Sequence, residues 1–84
     1  MGRALTAEWT RVPDSGRDAA RAQWSWRREH LGTHGCHYWV FASPDEPDAY
    51  LEFVEGRDAT VLARARAAAG LPASIPILTE VELP

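Results

Sequence analysis

Aromatic side chains are the most prominent candidates for a binding site in this sequence, which holds four tryptophans, two tyrosines and two phenylalanines in 84 residues. Flat apolar walls with a few polar groups are typical of sites that bind planar small molecules, because indole and phenol rings stack on such ligands. The sequence therefore predicts a pocket for an apolar aromatic compound, with the candidate residues Trp9, Trp24, Tyr38, Trp39 and Tyr50. The alternative is that these rings make core and subunit contacts.

The three histidines and the single cysteine lie close together in the sequence, at His30, His34, Cys36 and His37. Imidazole and thiolate groups are the usual protein ligands of zinc and copper. Their spacing matches no standard zinc pattern, and the sequence has no second pair of ligands elsewhere. We therefore predict no metal site and no cofactor; His30, His34 and His37 would be the ligands if a metal bound. Roles at a helix end and in a loop are the preferred interpretation.

Charged side chains offer two further sites. Glu8, Glu52 and Arg11 would lie on neighbouring strands, where an ion pair could orient a substrate or take part in proton transfer. Ordinary cross-strand pairing is the preferred interpretation. Arg27 and Arg28 stand beside two tryptophans and could contact an anion, but a solvated helix face is preferred for them.

Composition excludes several classes of protein. The formal net charge is −3 and all nine basic residues are arginines, whereas a nucleic-acid-binding domain is typically basic on one face. One cysteine cannot form an intramolecular disulfide, and a lone thiol is typical of a reducing compartment. The sequence has no apolar run of signal-peptide or transmembrane length. We expect a soluble cytoplasmic protein with no nucleic-acid or membrane partner.

Periodicity divides residues 1–84, a single domain, into six elements. The predicted elements are a strand at Ala4–Val12, a helix at Arg17–Leu31, a two-stranded hairpin from about Cys36 to Glu55, a helix at Ala59–Ala69 and an edge strand at Ile75–Leu83. Ser15 or Asp14 is expected to cap the first helix, and Asp58 the second.

The first strand of the hairpin is apolar on both faces. Tyr38, Val40 and Ala42 point to one side of the sheet, while Trp39 and Phe41 point to the other. A half-solvated strand would alternate apolar and polar residues instead. The helices of the chain can cover one face. We expect a second copy of the protein to cover the other, with Trp39 and Phe41 as candidate interface residues.

The order of elements is strand, helix, strand, strand, helix, strand, which is the split βαβ pattern of ferredoxin-like α+β folds. Right-handed crossovers would place both helices on one face of a four-stranded antiparallel sheet and leave the other face bare. An apolar face of this size exceeds what monomers usually expose. We therefore expect a homodimer in which two sheet faces pack together.

Several short motifs resemble those of a known family. Gly35-Cys36 follows the first helix, Ser43-Pro44-Asp45 forms the hairpin turn, and Phe53-Val54-Glu55 ends the next strand. This outline resembles the dimeric α+β barrel superfamily, in particular the antibiotic-biosynthesis-monooxygenase-like proteins, over nearly the whole chain. The resemblance implies two subunits whose sheets close into a barrel, with a pocket between the helices and the sheet of each subunit.

The resemblance leaves two functions open. Some members of the superfamily oxidise polycyclic aromatic substrates without a metal or flavin, some degrade haem, and many have no assigned activity. The active oxygenases use an asparagine together with a tryptophan and a tyrosine or histidine; this sequence contains no asparagine, so no catalytic residue is carried over. We expect a non-enzymatic or ligand-binding accessory module. The alternative is a cofactor-free monooxygenase-like enzyme acting on an apolar aromatic small molecule. A tryptophan-lined pocket of several hundred Å³ would favour a ligand or substrate, and a filled interior would favour a purely structural module.

Overall fold

Strands and helices follow one another in the order that the sequence predicts. The structure, a computed structural model, describes residues 2–84 and contains four strands and two α-helices in that range. Their bounds are β1 Ala4–Arg11, α1 Arg17–Thr33, β2 His37–Ala42, β3 Ala49–Gly56, α2 Ala59–Ala68 and β4 Leu78–Thr79.

The strands form one antiparallel sheet in the order β2-β3-β1-β4. β1 and β3 pair along their whole length, from Ala4 opposite Gly56 to Arg11 opposite Ala49. α1 packs against β2, and α2 packs against β3 and β1. Side chains of both helices share one buried cluster with the sheet, so the helices lie on the same side of it. The predicted ferredoxin-like α+β fold is confirmed.

Alternation along the strands gives the sheet two unlike faces. We call the side covered by the helices the inner face; it carries the buried side chains of Thr6, Tyr38 and Val54. The opposite side is the outer face, and it carries the exposed rings of Trp39 and Phe41. This is the division that the sequence of β2 predicts, with Tyr38 on one face and Trp39 and Phe41 on the other.

The apolar core between the helices and the sheet is built from side chains of modest size. In residues 2–84 the largest apolar side chains that are fully buried are Leu31 of α1, Leu62 of α2 and Val54 of β3. Gly56 allows α2 to lie close to β3, because a Cβ atom at this position would stand 3.1 Å from Cβ and 3.3 Å from Cα of Leu62. Small residues such as Ala65 complete this contact.

The start of α1 differs from the prediction. Ser15 and Asp14 were expected to cap the helix, but no side chain makes that hydrogen bond. The segment Asp14–Gly16 forms a turn of 3-10 helix that leads directly into α1. This turn places the Asp14 carboxylate against the Arg17 guanidinium, at 2.7 Å, instead of against a backbone N–H.

The other helix ends agree more closely with the sequence. Asp58 caps α2 as predicted, because its carboxylate accepts a hydrogen bond from the backbone N–H of Val61 at 2.8 Å. α1 extends two residues further than expected, to Thr33, and Gly35 then turns the chain with a φ of 76°. Across residues 2–84 neither helix combines the length and apolar character that a membrane crossing requires.

The last strand is much shorter than predicted, Leu78–Thr79 instead of Ile75–Leu83. Pro76 lacks the backbone N–H that a longer ladder with β1 would need. Glu80 still donates its N–H to the carbonyl of Arg3 at 2.8 Å. Beyond it the chain runs past the start of β1 and has no partner strand within residues 2–84.

The close contact at Gly56 yields a stability prediction. Gly56→Ala should lower the free energy of unfolding by roughly 1–3 kcal/mol, because the added methyl group forces α2 away from β3. Urea denaturation measures the change. The matched control is Gly32→Ala in α1, where nothing lies within 4 Å of an added Cβ; this change should raise stability by about 0.5–1 kcal/mol through helix propensity. Equal stability of Gly56→Ala and the wild type would contradict the close packing of α2.

Candidate functional site

A buried carboxylate lies at the centre of the inner face. Glu52 of β3 is only 6% exposed. Its Oε1 atom accepts a hydrogen bond from the Tyr38 hydroxyl at 2.5 Å and another from Nη1 of Arg27 at 2.8 Å. Arg27 belongs to α1 and Tyr38 to β2, so this one oxygen atom ties the helix and the edge strand to the middle of the sheet.

A second buried cation stands beside this network. Arg66 of α2 donates hydrogen bonds to Oγ1 of Thr6 at 2.8 Å and to the carbonyl of Pro72 at 3.1 Å. Burial lowers the pKa of the Arg66 guanidinium, while the nearby carboxylates of Glu8 and Glu52 oppose that shift. Glu8 and Glu52 are direct partners in the β1–β3 register, where two like charges repel. Arginines from both helices therefore offset a pair of carboxylates on the sheet.

The environment of Tyr38 favours its neutral form. Burial raises the pKa of the phenol, and the hydrogen bond to Glu52 and the charge of that carboxylate raise it further, with Arg27 acting in the opposite direction. A phenol held in this way stays a hydrogen-bond donor at neutral pH. It is therefore a structural donor to Glu52 and is not suited to act as a base.

A cleft of about 860 Å³ opens between α1 and β2 beside this network. Trp24 and Tyr50 form part of its wall, with ring centroids 5.0 Å apart and ring planes tilted by 54°, which is a favourable geometry for two aromatic rings. The lining residues come from one flank of α1, from β2 and from the start of β3. They are Arg21, Trp24, Ser25, Arg28, Gly32, Cys36, His37, Tyr38, Trp39, Val40, Ala42 and Tyr50.

Trp24, Tyr38 and Tyr50 of the predicted pocket line this cleft, and Trp39, whose ring is on the outer face, also borders it at the β2 edge of the sheet. Trp9 does not. It lies on the outer face, 62% exposed, because it shares the alternation of β1 with other outward-facing residues. Trp9 therefore lies apart from the other four predicted residues.

The predicted pocket set contained only Trp24 from the α1 side of the cleft, and Arg28 was considered separately as an anion contact. Arg21, Ser25, Arg28 and Gly32 all line it, and their spacing of four, three and four residues is the signature of one helical stripe. That stripe runs next to Trp24. Extending the pocket prediction along the helix from Trp24 would have found these residues.

Two of the three histidines lie next to each other, and the third is engaged elsewhere. His30 stacks on Trp26 with ring centroids 4.8 Å apart, and His34 lies 5.2 Å from His30 in a tilted arrangement. His37 instead places Nδ1 3.1 Å from a carboxylate oxygen of Glu55. Within residues 2–84 no three histidine, cysteine or acidic side chains are grouped so that they could hold a metal ion.

The cysteine is part of the core and is not grouped with the histidines. Cys36 is buried in the cluster that joins the helices to the sheet. Burial raises the pKa of its thiol, and the charge of Glu55 raises it further. A protonated, buried thiol is a poor metal ligand and a poor nucleophile.

The predicted charge pairs are rearranged. Arg11 pairs with Glu46 in the hairpin turn and not with Glu8 or Glu52, because it occupies the outer face of β1 while both glutamates occupy the inner face. Arg27 is not a solvated side chain, since it forms the buried pair with Glu52. In each case, the face on which the arginine lies decides which carboxylate it can reach.

The centre of the outer face is a continuous apolar surface. Trp39 is 43% exposed and Phe41 is 54% exposed. In the sheet register Trp39 lies beside Phe53, and Phe41 lies beside Leu51, which in turn lies beside Trp9. Phe41 and Phe53 make an edge-to-face contact at 5.6 Å. These side chains span three strands, which distinguishes them from the scattered apolar residues of an ordinary protein surface.

One solved structure is similar to this chain over its whole length, that of Rv0793 from Mycobacterium tuberculosis. The two share a TM-score of 0.61 and 18% sequence identity, and the match covers 100% of this chain and 97% of the other. At this level of identity the likeness shows the fold alone. No family model matches the chain, and no curated protein is significantly similar to it in sequence.

The raised pKa of Tyr38 predicts a pH dependence of stability. Because the phenol deprotonates near pH 10 in the unfolded chain and only at higher pH in the folded chain, its contribution is fully present below about pH 10 and is lost as the pH rises through the folded value. Tyr38→Phe has no proton to lose. Its free energy of unfolding should therefore fall less steeply than that of the wild type above about pH 10.

Urea denaturation at a series of pH values measures both slopes. At neutral pH the variant should be less stable than the wild type by about 1–3 kcal/mol, since Glu52 loses a buried donor. Parallel curves for the two proteins at alkaline pH would show that the phenol is not held neutral by its surroundings.

Proposed function

We propose that this chain is a homodimeric ligand-binding protein of the dimeric α+β barrel type, and that each subunit binds a flat aromatic small molecule between α1 and β2. The observation that carries the proposal is the aromatic-walled cleft of about 860 Å³ beside the buried network. Its volume lies within the range of small-molecule sites. An open, aromatic-walled cleft of this size favours a ligand over a purely structural role.

The walls of the cleft are held in place before a ligand arrives. Trp24 packs on Tyr50, and the hydroxyl of Tyr38 is fixed by Glu52. Rings that are already ordered lose little conformational entropy on binding, which favours affinity. Their shape suits a planar ring system that can lie against indole and phenol surfaces.

The outer face supports the homodimer. Trp9, Trp39 and Phe41 stand about half exposed on one surface, and no element within residues 2–84 covers it. A two-fold axis would bring the same surface of a second copy against it, so that each ring meets an apolar neighbour. A stable pair of this kind should bury more than about 1,000 Å² in total. The resemblance of the motifs to the dimeric α+β barrel superfamily points to the same arrangement.

Binding without turnover has more support than oxygenase activity. The sequence has no asparagine, and the phenol of Tyr38 is a neutral donor to Glu52 with a raised pKa. The asparagine of the active oxygenases is therefore missing, and Tyr38 is not available as a base that could remove a proton from a bound phenol. The alternative of a cofactor-free monooxygenase-like enzyme is tested by following oxygen consumption with each aromatic compound that binds; steady consumption would establish turnover.

The dimer proposal is tested by a charge placed on the outer face. Phe41→Glu should convert a wild-type dimer into a folded monomer in sedimentation at micromolar concentration, because a desolvated carboxylate at the interface costs several kcal/mol. Phe41 does not line the cleft. The control is Trp26→Glu, which changes an exposed ring on α1 and should leave the dimer intact. A monomeric wild type would exclude this mode of association.

The binding proposal is tested by filling the cleft. Tryptophan fluorescence of the wild type should be quenched saturably by at least one of haemin, a naphthoquinone and a flat polyphenol. Gly32→Leu should weaken that binding at least about tenfold, because the new side chain enters the cleft and excludes the ligand; Gly32 has open space around it.

The matched control for Gly32→Leu is Ala63→Leu, an exposed position of α2 outside the cleft. It should leave the binding constant unchanged. No quenching by any compound of the panel would refute the ligand-binding role.

A further inference from the structure

Two cations stand on the α1 side of the cleft without acidic partners. Arg21 and Arg28 both line it and are both exposed. Within residues 2–84 neither guanidinium forms an ion pair, whereas Arg27, between them in sequence, is paired with Glu52. The hydrogen-bonding capacity of Arg21 and Arg28 is therefore available to a ligand.

The lining of the cleft contrasts in charge with the rest of the chain. The protein carries a formal charge of −3, with twelve acidic and nine basic residues. None of the twelve side chains that line the cleft is acidic, and two are arginines. Two carboxylates of β3 next to β2 are already occupied, since Glu52 accepts from Arg27 and Tyr38, and Glu55 contacts Arg3 and His37. The cleft therefore favours a negative ligand, against the sign of the whole molecule.

The spacing of the two arginines suits an anion held above the helix. Arg21 and Arg28 are separated by two helical turns, about 10.5 Å along the axis. Ser25 lies between them on the same stripe and provides a hydroxyl donor. Two long guanidinium side chains can converge over this serine from either side, and a guanidinium binds a carboxylate through two parallel hydrogen bonds.

We propose that the ligand of this cleft is a planar aromatic carboxylate. The ring system lies against Trp24 and Tyr50, and the carboxylate accepts hydrogen bonds from Arg21, Arg28 and Ser25. This inference rests on the proposed ligand-binding function and adds the chemical class of the ligand. Two isolated cations in an acidic protein are too few for a nucleic-acid surface, which needs many phosphate contacts.

The test compares 2-naphthoate with 2-naphthamide, which has the same rings and nearly the same shape but no charge. Wild-type protein should bind the carboxylate more tightly than the amide by at least about threefold, measured by tryptophan fluorescence and by calorimetry. Arg21→Gln and Arg28→Gln should each weaken 2-naphthoate binding by roughly three- to tenfold and leave 2-naphthamide binding unchanged. Raising the salt concentration from about 0.05 M to about 0.5 M should weaken only the carboxylate.

Arg64→Gln is the matched control, because Arg64 is an exposed arginine on α2 that does not line the cleft. It should change the affinity for neither compound. Equal binding of the carboxylate and the amide, unaffected by the two cleft arginines, would overturn the anionic ligand and leave the proposed ligand-binding function intact. Binding of neither compound by a wild type that still binds a member of the fluorescence panel would overturn the inference alone, and binding of no compound at all would overturn it together with the aromatic site.

Discussion

The buried carboxylate of Glu52 is the constraint on which the subunit depends. A buried charge that lacks its partner costs several kcal/mol, so the contacts of Arg27 and Tyr38 with this carboxylate should both stabilise the fold. Arg27 fixes the rotation of α1 about its own axis. Trp24 is one turn earlier on the same helix, so the wall of the cleft is positioned by the same contact. The position of the cleft wall thus depends on the ion pair between Arg27 and Glu52.

The distribution of large side chains reverses the usual pattern of a small domain. Inside, the fully buried apolar side chains are no larger than leucine, and four charged groups share the same layer. Two of the four tryptophans, Trp9 and Trp39, are exposed on the outer face together with Phe41. Since hydrophobic stabilisation grows with the apolar area removed from water, a single subunit leaves much of its potential stabilisation unused. Association through the outer face would recover it, which links subunit stability to oligomeric state.

Local patterns predicted which residues share a face, but not which face or partner each one meets. Alternation in β2 separated Tyr38 from Trp39 correctly, and Asp58 was recognisable as a cap because capping is a local interaction. The same alternation placed Trp9 opposite the cleft, yet deciding this requires knowing which side of β1 the helices cover. Arg27 was expected on a solvated helix face, yet it pairs with Glu52. Its partner is set by the register of β1 and β3, which no short window of sequence contains.

The strand β2 contributes both to the cleft and to the outer face. It lies at the edge of the sheet, and edge strands usually carry charges that prevent pairing with other chains. Between Tyr38 and Ala42 there is none. An apolar edge strand of this kind promotes aggregation unless both faces of the strand are covered. α1 occupies the inner face through the Tyr38 side, and the proposed second copy would occupy the side of Trp39 and Phe41. The proposed ligand-binding role and the proposed dimer would then both depend on the same six-residue strand.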